Sequence, residues 1–128
     1  MPMEMQLLVW STALAFAQML IASSGTTMSV GLITAVGNRQ DLPDLGGWAG
    51  RAHRAHRNLL ENLLPFAILV LAAHALGKSN AMTVLGAKLF FWARVAYAAV
   101  YIAGIPWLRT AVYAVSVAGL AILFLQLV

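Results

Sequence analysis

Hydrophobic residues run in four long blocks along this chain, at about 7–36, 51–76, 82–105 and 108–128, each long enough for the ~20 residues that cross a hydrocarbon core. Polar and turn-forming residues punctuate them. The first break runs from Asn38 to Gly50 with Pro43, Gly46 and Gly47, the second is Gly77 to Asn80, and the third is Gly104, Ile105 and Pro106. Long apolar blocks joined by short breaks predict an all-α integral membrane protein, a four-transmembrane-helix bundle in one domain spanning residues 1–128. The second half of the first block carries Ser23, Ser24, Thr26, Thr27 and Ser29. It is therefore expected to pack against protein and to project past the membrane surface. No internal repeat or low-complexity tract interrupts the pattern.

Composition sharpens this picture. Of 128 residues, 62% are hydrophobic and 9% charged, where a soluble domain carries about 25% charged residues. The absence of cysteine removes disulfides, thiolate metal sites and a cysteine nucleophile together. A net charge of +4 and a pI of about 10.1 suggest nucleic acid in a soluble protein. Here the basic residues lie at span boundaries and inside spans, so nucleic acid is not the expected partner. The N-terminus carries Glu4 where a secretory signal has a positive flank, and the first block reads as a permanent span. Arg39, Arg51, Arg54, Arg57 and Arg109 fall on the side of the first and third connections, and Lys78 and Lys88 toward the other. The positive-inside rule then puts the arginine-rich side in the cytoplasm and both termini opposite it, and for so compact a chain a bacterial inner membrane is the expected location.

One stretch breaks the apolar logic. Arg51, Arg54, Arg57, Asn58 and Glu61 occupy roughly a third of the second helix's circumference at 100° per residue. An ionised side chain at mid-bilayer costs roughly 2.5–3.5 kcal/mol on insertion scales, so such residues face a partner or a wet cavity. The third helix has its own stripe of Arg94, Tyr97 and Tyr101. Counting from Asn80 at ~1.5 Å per residue, Glu61 lies ~28 Å and Arg94 ~21 Å deep, within reach of long side chains. Asn58 and Tyr101 come level at ~32–33 Å, and Arg109 opens the fourth helix at that same end. Several guanidinium forks suit carboxylates or phosphates. Asn58 donates and accepts, Glu61 receives an ammonium, and Tyr97, Tyr101 and Tyr113 add hydroxyls on apolar rings. A small polar ligand with carboxylates and an amine fits. Glutathione is one such molecule, and the chemistry alone does not single it out.

Plainer readings compete. Glu61 with Arg94 reads equally as a structural ion pair, and the three arginines of the second helix as a belt for anionic headgroups. His53 and His56 lack acidic or cysteine partners, so no metal site is expected. His74 and the four tryptophans read as interfacial or packing groups, and Thr27, Gly31 and Ala35 as a close-packing seam.

The pattern Arg51-x-x-Arg54-Ala-His-Arg57-Asn58-x-x-Glu61-x-x-x-Pro65-Phe66 resembles the second-helix signature of the MAPEG family (membrane-associated proteins in eicosanoid and glutathione metabolism). Arg94-Val-Ala-Tyr97-x-x-x-Tyr101 and Arg109-Thr110-x-x-Tyr113 resemble its third and fourth helices, closest to the microsomal prostaglandin E synthase and microsomal glutathione transferase branch. The resemblance covers essentially the whole chain. It implies a homotrimer with glutathione as co-substrate bound between subunits near the cytoplasmic face. Arg54, Arg57, Asn58 and Glu61 would hold its backbone and charged ends, with Tyr97, Tyr101 and Tyr113 in the pocket. Arg39 would clamp it from the adjacent subunit, and Arg94 would tie helices together. Arg109 would stabilise the thiolate, with help from Thr110, since a nearby cation favours the anionic thiol. Lipophilic small molecules or lipids would enter from the bilayer. Tyr97 replaces a histidine of the prostaglandin synthase branch, Thr110 replaces a serine, and the first connection is short, so prostaglandin isomerisation is not carried over. The expected activity is a glutathione transferase of detoxification type, with peroxidase activity toward lipid hydroperoxides as an extension. The alternative is a non-catalytic, lipid-binding regulatory member. A transporter is disfavoured by the absence of an inverted repeat or broken helix.

Overall fold

Apolar blocks of this length must satisfy every backbone amide internally once in lipid, and helices do so. The computed structural model describes residues 2–31 and 46–128, and all of its regular structure is helical. α1 spans Met3–Val30, α2 Gly47–Ala75, α3 Ala81–Ala103 and α4 Pro106–Leu127. All four are long and apolar enough to cross a membrane. Residues 32–36 of the first expected block lie outside the described residues. α1 starts ahead of Leu7, at Met3, and α2 starts a turn before Arg51, at Gly47. The early start of α2 has a tertiary cause. A Cβ on Gly25 of α1 would lie only 2.9 Å from the Cβ of Ala49, so the first turn of α2 is anchored where α1 is narrowest.

Local signals set the hairpins. Asn80 caps α3 by accepting from the amides of Met82 (2.8 Å) and Thr83 (2.9 Å), while Thr83 Oγ1 accepts from the Asn80 amide at 2.8 Å, a reciprocal capping box. α3 ends where Gly104 takes a left-handed φ of +81° and its amide returns to the Val100 and Tyr101 carbonyls. Pro106 then opens α4 at a position whose N–H would be idle anyway. The helices alternate in direction, so the start of α1, the α2–α3 turn and the end of α4 share one end of the bundle.

That terminal end is closed by polar contacts. Glu4, 3% exposed, accepts hydrogen bonds from Ser79 Oγ and from Thr83 Oγ1, the latter at 2.7 Å. Asn80 donates to Gln126 (3.1 Å), and Lys78 to the Leu127 carbonyl (3.2 Å). Toward the middle, Leu7, Phe66, Val70, Ala87, Phe90 and Leu123 form the core, with the Phe66 and Phe90 rings stacked at 4.1 Å. α3 and α4 share the most extensive interface, and glycines make it possible. A Cβ on Gly119 would sit 2.6 Å from the Gly86 carbonyl oxygen, and one on Gly86 would sit 2.8 Å from that of Gly119. Association in lipid relies on such close packing, because there is little hydrophobic gain between helices already in hydrocarbon.

Two outcomes follow. Gly119→Ala should destabilise the detergent-solubilised protein by about 1–3 kcal/mol despite alanine's better helix propensity. Thermal unfolding followed by circular dichroism tests the sign. Glu4→Ala should cost about 1.5–3 kcal/mol in the same assay, because it leaves two hydroxyls without their charged acceptor.

Candidate functional site

At the opposite end α2 and α4 present cations, Arg51, Arg54, Arg57 and Arg109. Arg51 is spent structurally. Its Nε donates to the Ile102 carbonyl at 2.8 Å, completing the last turn of α3 where that helix's partial negative charge gathers. Arg54 Nε reaches the Tyr101 hydroxyl at 3.3 Å. Arg57 pairs loosely with Glu61 at 3.8 Å, both side chains largely exposed, so the pair contributes little to stability. Arg109 lies over the Tyr101 ring, 4.9 Å from its centroid.

Beneath them Arg94 is buried at 1% exposure. Its Nη2 donates to Asn58 Oδ1 at 2.7 Å, and its guanidinium carbon stands 4.2 Å from the Tyr97 centroid and 6.0 Å from that of Tyr113. Its Nε and Nη1 have no hydrogen-bond partner among the described residues. Asn58 is itself held, because Asn62 donates to its carbonyl at 2.8 Å. Tyr97 sits 5.4 Å from the Tyr101 ring and 6.0 Å from the Tyr113 ring, so three phenols cluster around two guanidiniums.

Asn58, Tyr97, Arg109, Thr110 and Tyr113 line an open hollow of about 330 Å³. Nine of the ten expected site residues can thus be located. Asn58, Tyr97, Arg109, Thr110 and Tyr113 meet in the hollow, with Tyr101 and Arg54 at its rim. Arg57 and Glu61 stand further round α2, exposed, and Arg39 lies outside the described residues. The Thr110 hydroxyl donates to the Pro106 carbonyl at 3.2 Å, so as placed it offers the hollow lone pairs and no proton.

The ion pair expected between Glu61 and Arg94 is absent among the described residues. Asn58 takes the arginine, because three residues of helix rotate Glu61 by about 60° away from the side that faces α3. Two buried groups escaped the sequence reading. Both side-chain polar atoms of Gln18 on α1 and the Nδ1 of His56 on α2 are buried without partners among the described residues. A lone glutamine within an apolar block was the available signal for the first. His53 and His56 share a second hollow of about 420 Å³ with Met19, Ala22, Ser23 and Thr26.

Removing Asn58 should expose how much the buried cation depends on it. Asn58→Ala is expected to cost about 1.5–3 kcal/mol, the range for a hydrogen bond to a charged group. A double-mutant cycle with Arg94→Met, read by thermal unfolding in detergent, should give a coupling energy well above zero.

Comparison with known proteins adds one positive finding: the sequence model of the MAPEG family matches residues 7–128. No curated protein and no solved structure matches the chain.

Proposed function

This chain belongs to the MAPEG family, and from that premise we propose that it is a membrane-bound glutathione transferase that activates the glutathione thiol for attack on lipophilic electrophiles. The observation that carries the reading is the hollow at the arginine-rich end, lined by Arg109, Tyr97 and Tyr113 beside a buried guanidinium whose Nε and Nη1 have no partner among the described residues.

The residues fit the co-substrate by charge and by donor type. Arg54 and Arg57 supply exposed forks for its two carboxylates, and Glu61 supplies an acceptor for its ammonium. Asn58 and the hydroxyls of Tyr97, Tyr101 and Tyr113 match its amides. Arg109 borders the hollow as a half-buried cation, suited to hold a thiolate and so to raise the fraction of glutathione in its nucleophilic form. Thr110 supplies support from the same turn of α4, after rotation away from the Pro106 carbonyl. Within a single chain Arg54, Arg57 and Glu61 stand exposed on the flank of α2. A neighbouring subunit of a homotrimer would wall that flank, and Arg39 would come from it. Beside Arg109, Trp107 is 88% exposed and Leu108 also open, an apolar rim by which a bilayer-dissolved electrophile reaches the hollow. The concentration of arginines at this end supports a cytoplasmic orientation for it.

Titration of the detergent-solubilised protein with glutathione at neutral pH, followed at the thiolate absorbance band, tests the proposal. Saturable thiolate formation is expected, lost in Arg109→Ala and weakened in Glu61→Gln. Turnover of Arg109→Ala should fall about 100-fold, the scale for removing one preorganised charge-stabilising group. Glutathione binding should survive in part. A wild-type protein with neither thiolate signal nor calorimetric glutathione binding would overturn the transferase reading and favour a lipid-binding, non-catalytic member.

A further inference from the structure

The seam between α1 and α2 holds polar groups that neither the fold nor the thiolate chemistry uses. Gln18 is 4% exposed, and both of its side-chain polar atoms lack partners among the described residues, as does the buried Nδ1 of His56. These orphans lie at one level. α1 and α2 run antiparallel and come closest where a Cβ on Gly25 would meet Ala49. Gln18 is seven residues back from that contact and His56 seven residues on, so each lies ~10 Å further along its helix. Buried polar groups are nearly always paired, so two orphans at one level point to a partner that the described residues do not supply. Beside them is the hollow of about 420 Å³ that His53 and His56 share with Met19, Ala22, Ser23 and Thr26. Ser23 and His53 are exposed there and make no hydrogen bond among the described residues.

The donor set selects the occupant. The Ser23 hydroxyl, the Gln18 amide and one N–H of each imidazole are all available to donate. No carboxylate lines the hollow. α2 carries Arg51, Arg54 and Arg57 against a single acid, Glu61, so the local field is positive. That field repels a metal cation, and no third histidine, cysteine or acid joins the two histidines among the described residues. An acceptor-rich, negatively charged molecule fits both the donors and the field. Depth names its source. A 29-residue α2 is ~43 Å long, so a ~30 Å hydrocarbon core centred on it leaves ~7 Å at either end. His53 and His56 stand ~9 Å and ~13 Å from Gly47, just inside that boundary, where the glycerol esters of a phospholipid hang below its phosphate.

We propose that this hollow seats one anionic phospholipid from the leaflet at the arginine-rich end. Its phosphate accepts from Ser23 and His53 at the mouth, and its ester carbonyls accept from His56 and Gln18 below. An acyl chain continues past Met19 toward the bilayer centre. A more open hollow, sharing Ser23 and lined also by Leu20, Ser24, Thr27 and Met28, extends the seat onto the outer face of α1. The hydroxyl-rich second half of α1 thus meets a lipid headgroup. The bound lipid ties α1 to α2 where the chain leaves both short of partners. His56 points ~200° around α2 from Asn58, so this seat is separate from the hollow of Arg109 and stands whether or not the protein is a transferase.

The test titrates phosphatidylglycerol into the delipidated protein in maltoside micelles. Thermal unfolding is followed by circular dichroism, and native mass spectrometry counts the lipids retained per chain. Wild-type protein should retain one lipid per chain, with a saturable rise in its midpoint. Phosphatidylcholine, which has the same esters on a neutral headgroup, should bind about fivefold more weakly or worse, the scale of one arginine acting on an anionic headgroup. Inorganic phosphate should leave the midpoint unchanged. His53→Ala, at an exposed position, should weaken phosphatidylglycerol binding about tenfold, the scale of one hydrogen bond to a charged group. Gln18→Leu carries the signature of a stranded amide. Without lipid it should unfold at or above the wild-type midpoint, and with lipid it should gain less than wild type. A Gln18→Leu protein that unfolds earlier than wild type in lipid-free micelles would show Gln18 paired within the protein and overturn the proposal. Equal lipid gains in wild type and His53→Ala would overturn it too, as would a gain reproduced by phosphatidylcholine or by phosphate alone.

Discussion

A guanidinium buried among apolar helices is the constraint around which this bundle is arranged. A charge in the middle of a membrane costs a few kcal/mol unless it is met by polar groups or water. Arg94 is met by the Asn58 amide oxygen on α2 and by the π faces of Tyr97 and Tyr113 on α3 and α4. Three helices are thereby held in one register. A slip by one residue would turn Asn58 away from Arg94 by about 100° and strand the charge. The same register brings the tyrosines around the hollow, so the interaction that makes the buried charge tolerable also composes the site.

The two ends of the bundle differ in how far their polar groups satisfy one another. At the terminal end Glu4, Ser79, Thr83, Asn80 and Gln126 satisfy one another, and Lys78 reaches the last turn of α4. At the arginine-rich end Arg94 Nε and Nη1 have no hydrogen-bond partner among the described residues. Such local incompleteness collects at functional sites, because a group already satisfied has nothing to offer a ligand. Between the ends, Gly86 and Gly119 let α3 and α4 touch backbone to backbone, which brings Tyr113 on α4 within ring contact of Tyr97 on α3.

The family assignment and the geometry answer different questions. Membership in the MAPEG family rests on a match across nearly the whole length of the chain. The distribution of protons within the hollow rests on individual contacts that no family signature encodes. Thr110 is an example. Its position fits the signature, but its hydroxyl proton is committed to Pro106. Arg51 is another, since it belongs to the arginine stripe yet closes the end of α3.

Much of the fold was legible in the chain itself. Four apolar blocks long enough to span, the Gly77–Asn80 turn, the Gly104–Pro106 corner and the stripe from Arg54 to Glu61 are periodic or local features, and periodicity and backbone conformation are written residue by residue. The partners of the polar side chains were not. Depth counting brought Glu61 within reach of Arg94, yet Asn58 holds it, because helix rotation decides among residues of similar depth. Glu4 looked like a mere departure from a signal sequence and is a buried tie to the α2–α3 turn, a contact across 75 residues. Gln18 offered only its place as a lone glutamine in an apolar block, and nothing marked the Nδ1 of His56 as buried. The sequence by itself determined which segments cross the membrane and which face of each is polar, since those depend on residue order alone. Only the tertiary structure decided which polar groups meet, because that depends on how four helices rotate and slide to bury one guanidinium.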